Sequence, residues 1–179
     1  MCRMLATIAS LALASSVLAD NKGTPVEIDG KKSNAPTVWK KQETTSSMRA
    51  FQFKIAKAEG DTEDAELIVF FFGKGGGGSI DDNIKRWKGQ FKDAPADKVK
   101  QEKFEVSNVP VTYLDIQGNY QARTPPNDPN GKLVEKKDFR AINAIFGSPN
   151  GPYYIRLLGP NKTVTAQKKA FDEWLKNFK

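Results

Sequence analysis

The sequence predicts an α+β domain, a mostly antiparallel sheet of about six strands with two amphipathic helices packed on it. Three observations carry that expectation. From Ala65 to Phe72 only Glu66 interrupts an apolar run, the pattern of a strand buried on both faces and central in a sheet. Other segments alternate apolar and polar residues with the period of half-buried strands. Two further segments carry a helical stripe, and two such helices cannot bury their stripes on each other while also covering an apolar sheet.

Residues 1–19 have the form of a secretory signal peptide. Arg3 gives a positive start, residues 5–18 are apolar or small, and Val17 and Ala19 occupy the small-residue positions before a cut ahead of Asp20. The apolar stretch is shorter than the roughly 20 residues a spanning helix needs. The mature chain is therefore expected to be exported, periplasmic or extracellular, with no transmembrane segment. The single cysteine, Cys2, falls in the signal, so the mature chain relies on its core and not on disulfides, which suits a bacterial envelope.

Residues 20–36 are polar, contain Gly and Pro, and show no sustained period, so they read as a flexible leader. The remaining residues, 37–179, suit one α+β domain. A short strand is expected at residues 37–40, with Trp39 plugging the start of the core. Residues 48–56 place Phe51, Phe53 and Ile55 on one strand face, and the turn AEGDTED joins this strand to the apolar run as a hairpin. After the glycine tract 73–78, Ser79 and Asp82 form a capping box, and Ile80, Ile84, Trp87 and Phe91 make one stripe.

Residues 98–106 alternate weakly, and residues 111–116 form a strand with Val111 and Tyr113 on one face and Leu114 and Ile116 on the other. Residues 117–138 hold Gly118, Pro125, Pro126, Pro129 and Gly131 with no period, which predicts a long loop. Phe139 to Phe146 and Tyr153 to Leu158 flank a Pro-Asn-Gly turn and read as a hairpin. Thr163 is placed to cap a final helix whose stripe is Val164, Phe171, Trp174, Leu175 and Phe178.

The segments MRAFQFKI, ELIVFFFG with its Gly-rich turn, SIDDNIKRWKGQF and GPYYIRLLGPNKTVTAQKKAFDEWLKNF are similar to an uncharacterised family of bacterial exported proteins. The element order resembles the PsbP-like fold, named for an extrinsic subunit of the photosynthetic oxygen-evolving complex. The resemblance covers roughly residues 37–179 and implies a PsbP-like sandwich acting as an accessory or binding module. The family supplies no catalytic residues to carry over.

Composition narrows the chemistry. There is no histidine, which removes the commonest general base near neutral pH and the commonest metal ligand. With no mature cysteine either, no metal or cofactor is expected, and catalysis would fall to Asp, Glu, Lys, Tyr or Ser. The net charge of +7 favours anionic partners, and losing Arg3 lowers it to +6. Of 28 basic residues 22 are Lys, whereas forked phosphate recognition prefers Arg. Export argues further against nucleic acid and leaves an envelope protein or an anionic polymer as partner.

The glycine turn GKGGGGS lacks the GxxxxGK[ST] order of a phosphate loop, because Lys74 precedes the glycines. Asp81 and Asp82 in the first helical turn would repel a phosphate, and their spacing suits ion pairs with Lys85 and Arg86. The amides of Gly75 to Gly78 remain as a surface that touches a partner. Asp115 with Glu135 or Asp138 is the carboxylate pair a hydrolase of envelope polymers would need. The favoured surface is the long loop and its flanks, Asp115, Asn119, Tyr120, Arg123, Asp128 and Arg140, which combine an aromatic, both charge signs and proline-stiffened backbone. A non-enzymatic binding module is expected, with a carboxylate hydrolase or a basic binder of anionic lipid or polysaccharide as alternatives.

Overall fold

The computed structural model describes residues 23–44, 46–125, 128 and 130–179. The expected signal peptide lies outside the described residues. Ten strands and two helices follow one another as β1 (Thr24–Ile28), β2 (Lys31–Ala35), β3 (Trp39–Lys41), β4 (Arg49–Ile55), β5 (Ala65–Phe71), α1 (Ile80–Gly89), β6 (Phe91–Lys92), β7 (Val99–Val106), β8 (Val109–Thr124), β9 (Lys132–Phe146), β10 (Tyr153–Pro160) and α2 (Asn161–Lys176). The main sheet has eight antiparallel strands, in the order β3-β4-β5-β10-β9-β8, with β8 then pairing β6 at one end and β7 at the other.

The expected class holds, with more strands than the expected six. The apolar run becomes β5, an inner strand between β4 and β10, and both hairpins, β4–β5 and β9–β10, are present. Each face of the sheet has its own core. One is closed by Trp39, Val164, Phe171, Trp174, Leu175 and Phe178 over Phe53, Leu67, Ile142 and Phe146. Trp39 meets Trp174 edge-on at 5.6 Å, and Trp174 meets Phe178 at 5.2 Å. On the other, Ile84, Trp87 and Phe91 cover Leu114, Ile116, Ala141 and Ile145.

Residues 23–36 are not a flexible leader. They form the β1–β2 hairpin, whose inward residues Val26, Ile28 and Ala35 are buried in the α2-side core. The inward face of β2 offers only Ser33 and Ala35, so hydrophobic alternation is faint. A turn signal was available: Asp29-Gly30 takes positive φ at both residues (49° and 77°), as a two-residue hairpin turn of type I′ requires. The Asp29 carboxylate accepts from Ser148 Oγ at 2.6 Å and from Asn150 Nδ2. The Ser148 bond, then the Asn150 bond, hold its pKa below the usual carboxylate value. A depressed folded pKa contributes stability above the unfolded value and loses it as pH falls through the folded one. Asp29→Asn is therefore expected to lower Tm at neutral pH, with the gap to the parent shrinking below about pH 3.9; a gap that stays constant down the acid limb would refute this linkage.

The expected long loop 117–138 is mostly strand. β8 and β9 continue as a two-stranded arm, pairing Tyr120 with Lys136 through Thr124 with Lys132. Past Tyr120, which packs on the α1-side core, the arm is exposed or half-exposed on both faces, so its residues show no apolar period although the backbone ladder is intact. A bulge between Gly118 and Tyr120, with Asp138 at φ 50°, bends the chain into the arm.

Helix starts also differ in detail. Ser79 Oγ accepts from Asp82 N at 3.1 Å, as the capping box predicts. Ile80 is exposed, however, and Arg86 donates to Asn83 Oδ1 instead of pairing with Asp82. Thr163 lies inside α2 and caps nothing itself: the Asp61 carboxylate, from the β4–β5 turn, accepts from Thr163 N at 2.9 Å and from its hydroxyl. A turn distant in sequence thus supplies the anionic cap.

Candidate cleft between the edge strand and the second helix

Asp115 lies opposite Ile142 and Gln117 opposite Arg140, which makes Asp115 and Arg140 diagonal neighbours on the α2 face of the sheet. Both Asp115 oxygens are taken by one guanidinium, from Arg140 Nε at 2.8 Å and Nη2 at 2.6 Å, and Arg140 Nη1 reaches Thr165 Oγ1 of α2 at 2.8 Å. The two residues are 5% and 7% exposed, so the pair is buried. Burial acts to lower the Arg140 pKa, but the Asp115 bonds and charge outweigh it and hold it above its ordinary value.

Next along this face comes Tyr113, whose hydroxyl donates to Asp172 Oδ1 at 2.8 Å. Lys168 Nζ donates to the same hydroxyl at 3.2 Å and to Asp172 Oδ2. Burial first, and then the Asp172 charge, push the Tyr113 phenol far above its ordinary pKa. At neutral pH it stays protonated, a hydrogen-bond donor and not a base.

Above these groups a cleft of about 710 Å³ opens between β7 and α2, with Lys100, Phe104, Tyr113, Lys168, Asp172 and Lys176 in its lining. That size lies within the usual range of ligand pockets, ~300–1,000 Å³. Lys176 Nζ stands 5.9 Å from the Phe104 ring centre and Lys168 Nζ 5.5 Å from that of Tyr113. Lys100 pairs with Glu102 at 2.8 Å, and that bond and charge raise its pKa. One wall is strand backbone: β7 pairs β8 on one side, and among the described residues no strand pairs with its other edge.

No family model matches the chain, and no curated protein is similar to it in sequence. Among solved structures it is similar to the solution structure of cyanobacterial PsbP (CyanoP) from Synechocystis sp. PCC 6803, with a TM-score of 0.53 at 8% identity over 93% of this chain and 96% of that one. It has a PsbP-like fold. A protein of unknown function from Pseudomonas aeruginosa, PA94, a putative regulator by its description, aligns with a TM-score of 0.46 at 12% identity over 86% and 93% of the two chains. Within the PsbP-like fold of this chain, no helix among the described residues is long and apolar enough to cross a membrane.

The six residues expected to form one recognition loop do not converge. Asp115 and Arg140 come together as the buried pair beneath the cleft. Tyr120 lies on the other face of the PsbP-like sheet, between Phe91 at 5.4 Å and Phe139 at 6.1 Å. Asn119 sits at the bulge, where its Oδ1 accepts from Asp138 N. Arg123 is exposed on the arm and donates to the Gly131 carbonyl at 3.2 Å, while Asp128 Oδ1 accepts from Asn130 N at the arm's turn.

Nor does the expected carboxylate pair form. Glu135 is level with Gln121, six residues along β8 from Asp115, a separation of about 20 Å at ~3.3 Å per residue. Asp138 accepts from Asn161 at the start of α2. What sequence reasoning missed is the cleft's other wall: Lys100, Phe104 and Lys176 belong to an edge strand and a helix about 70 residues apart, and only the sheet order brings them together.

Proposed function

We propose that this protein is an exported, non-enzymatic accessory or binding module that holds an extended acidic segment of an envelope partner in the β7–α2 cleft. The observation that carries this reading is the edge of β7, unpaired among the described residues, beside a cleft whose lining sets Lys100, Lys103, Lys168 and Lys176 against Glu102, Glu105 and Asp172. An edge strand offers main-chain hydrogen bonds to an added strand, and side chains along the groove select what that strand carries. The half-buried ring of Phe104 suits one apolar side chain, and Lys103 and Lys176, which form no ion pair among the described residues, suit carboxylates around it. The protonated Tyr113, whose one hydroxyl hydrogen goes to Asp172, supplies no general base. Alternating Lys and Glu on β7 also guard the edge against pairing with a second copy.

The test compares the mature chain with Lys100→Glu/Lys176→Glu in capturing partners from an envelope extract. Reversal is expected to reduce capture by about tenfold or more, the effect of roughly 1.4 kcal/mol, and capture by the parent should weaken with salt. Equal capture by both proteins would refute the cleft. A second reading, a basic contact with anionic lipid or polysaccharide, draws on exposed Leu133 and Val134 beside Lys132 on the arm. It requires binding that survives the cleft reversal and is lost when Leu133 and Val134 become Ser.

A further inference from the structure

The charge alternation that guards β7 leaves one register open to a second copy of the chain. Two antiparallel strands related by a two-fold axis set one residue opposite itself, and residues equally far before and after that centre opposite each other. Centred on Lys100, Glu102, Lys103 or Glu105, such a pair sets like charges face to face, which is destabilising. Centres at either end of the strand overlap too few residues to hold. A centre on Gln101 opposes only Lys100 and Glu102, which already bond each other within the strand at 2.8 Å, and it sets Phe104 against Lys98.

The centre on Phe104 is different. It sets Lys103 opposite Glu105 of the second copy, Glu105 opposite Lys103 of the second copy, and the two Phe104 rings opposite each other. Lys103 and Glu105 are exposed, lie on the other strand face from Phe104, and form no ion pair among the described residues. Phe104 is half-buried, with its ring centre 6.1 Å from that of Tyr113 and 5.9 Å from Lys176 Nζ.

We propose that two copies of this chain join edge to edge through β7 in the register centred on Phe104. The edge of β7, unpaired among the described residues, supplies the main-chain hydrogen bonds. Two Lys103–Glu105 pairs flank the axis on one face, and the aromatic pair fills it on the other. The two sheets then run on as one with both α2 helices on the same face, and neither β7 edge is left for an added strand. A second copy and an acidic partner segment therefore exclude each other from β7. That competition rests on the function proposed above, whereas the pairing itself does not.

Sedimentation of the mature chain alone tests the pairing separately from partner capture. The parent is expected to dimerise below about 1 mM. Lys103→Glu and Glu105→Lys each create two like-charged pairs across the axis, and each should weaken dimerisation by about tenfold or more. Mixing the two variants should restore the parent's strength, because each then meets the opposite charge, and this recovery also shows that both are folded. Cross-linking reads the register directly, since the chain from residue 20 onward contains no cysteine. Phe104→Cys should form a disulfide-linked dimer on oxidation, because directly opposed Cα atoms about 4.5–5.5 Å apart suit that bond. Gln101→Cys should not, because its two copies would stand about 20 Å apart at ~3.3 Å per residue. A parent that stays monomeric up to about 1 mM, single variants that dimerise as the parent does, no recovery in the mixture, or faster cross-linking of Gln101→Cys than of Phe104→Cys would each overturn the pairing.

Discussion

Arg140→Met is expected to destabilise the fold by about 3–5 kcal/mol, because it strands the Asp115 carboxylate in a buried site. In the parent, Asp115 has both oxygens on Arg140 and lies against α2 through the Arg140–Thr165 bond. Removing the cation removes two charge-assisted bonds, and no lysine bonds Asp115 in its place among the described residues. The double variant Asp115→Leu/Arg140→Met removes the charge together with its partner and is expected to recover most of the loss, since apolar replacement of a buried pair is often neutral or better. Urea unfolding of parent, both singles and the double closes the cycle. Additive losses would show that the pair is not coupled, and a single-variant cost below about 1 kcal/mol would show that water reaches Asp115 and screens it as at a surface.

That pair shows where sequence legibility ends. Asp115 and Arg140 were both visible as polar residues beside apolar runs, but their contact depends on a register in which Asp115 faces Ile142, and register is not written in either segment alone. Elements with a one-sided apolar pattern were readable: β4, the β9–β10 hairpin and most of the stripes of α1 and α2 follow from their period, β5 from its apolar run, and the start of α1 from its Ser79 cap. The arm at 120–136 was not, because a hairpin wet on both faces leaves a backbone ladder without a side-chain signature. The cleft was also hidden, since weak alternation in β7 describes an exposed edge strand without telling which helix it faces. Polar networks across the sheet, including Tyr113 with Asp172 and Arg156 with Tyr120, belong to the same category.

Truncation supplies the sharpest contrast between composition and structure. A chain beginning at Pro36 would lose nothing if the preceding residues were a polar leader, whereas the structure predicts a loss of about 5 kcal/mol or more, comparable with the whole stability of an ordinary domain at ~5–15 kcal/mol. Val26 and Ile28 are fully buried, and each such side chain contributes about 1.5–3 kcal/mol. The hairpin also holds the C-terminus: Lys32 N donates to Lys179 O at 2.8 Å, Lys179 N returns to Lys32 O at 3.2 Å, and Ser33 Oγ donates to the Trp174 carbonyl at 2.8 Å. Removing it uncovers Trp174 and Phe178, so the truncated chain is expected to lose the near-ultraviolet signal of packed tryptophan along with its urea midpoint. A chain beginning at Gly23, which keeps the whole hairpin, is the control for this loss. Within the hairpin, Ile28→Ala should by itself cost about 2–5 kcal/mol, and an unchanged midpoint in both the truncated and the Ile28→Ala proteins would remove the hairpin from the core.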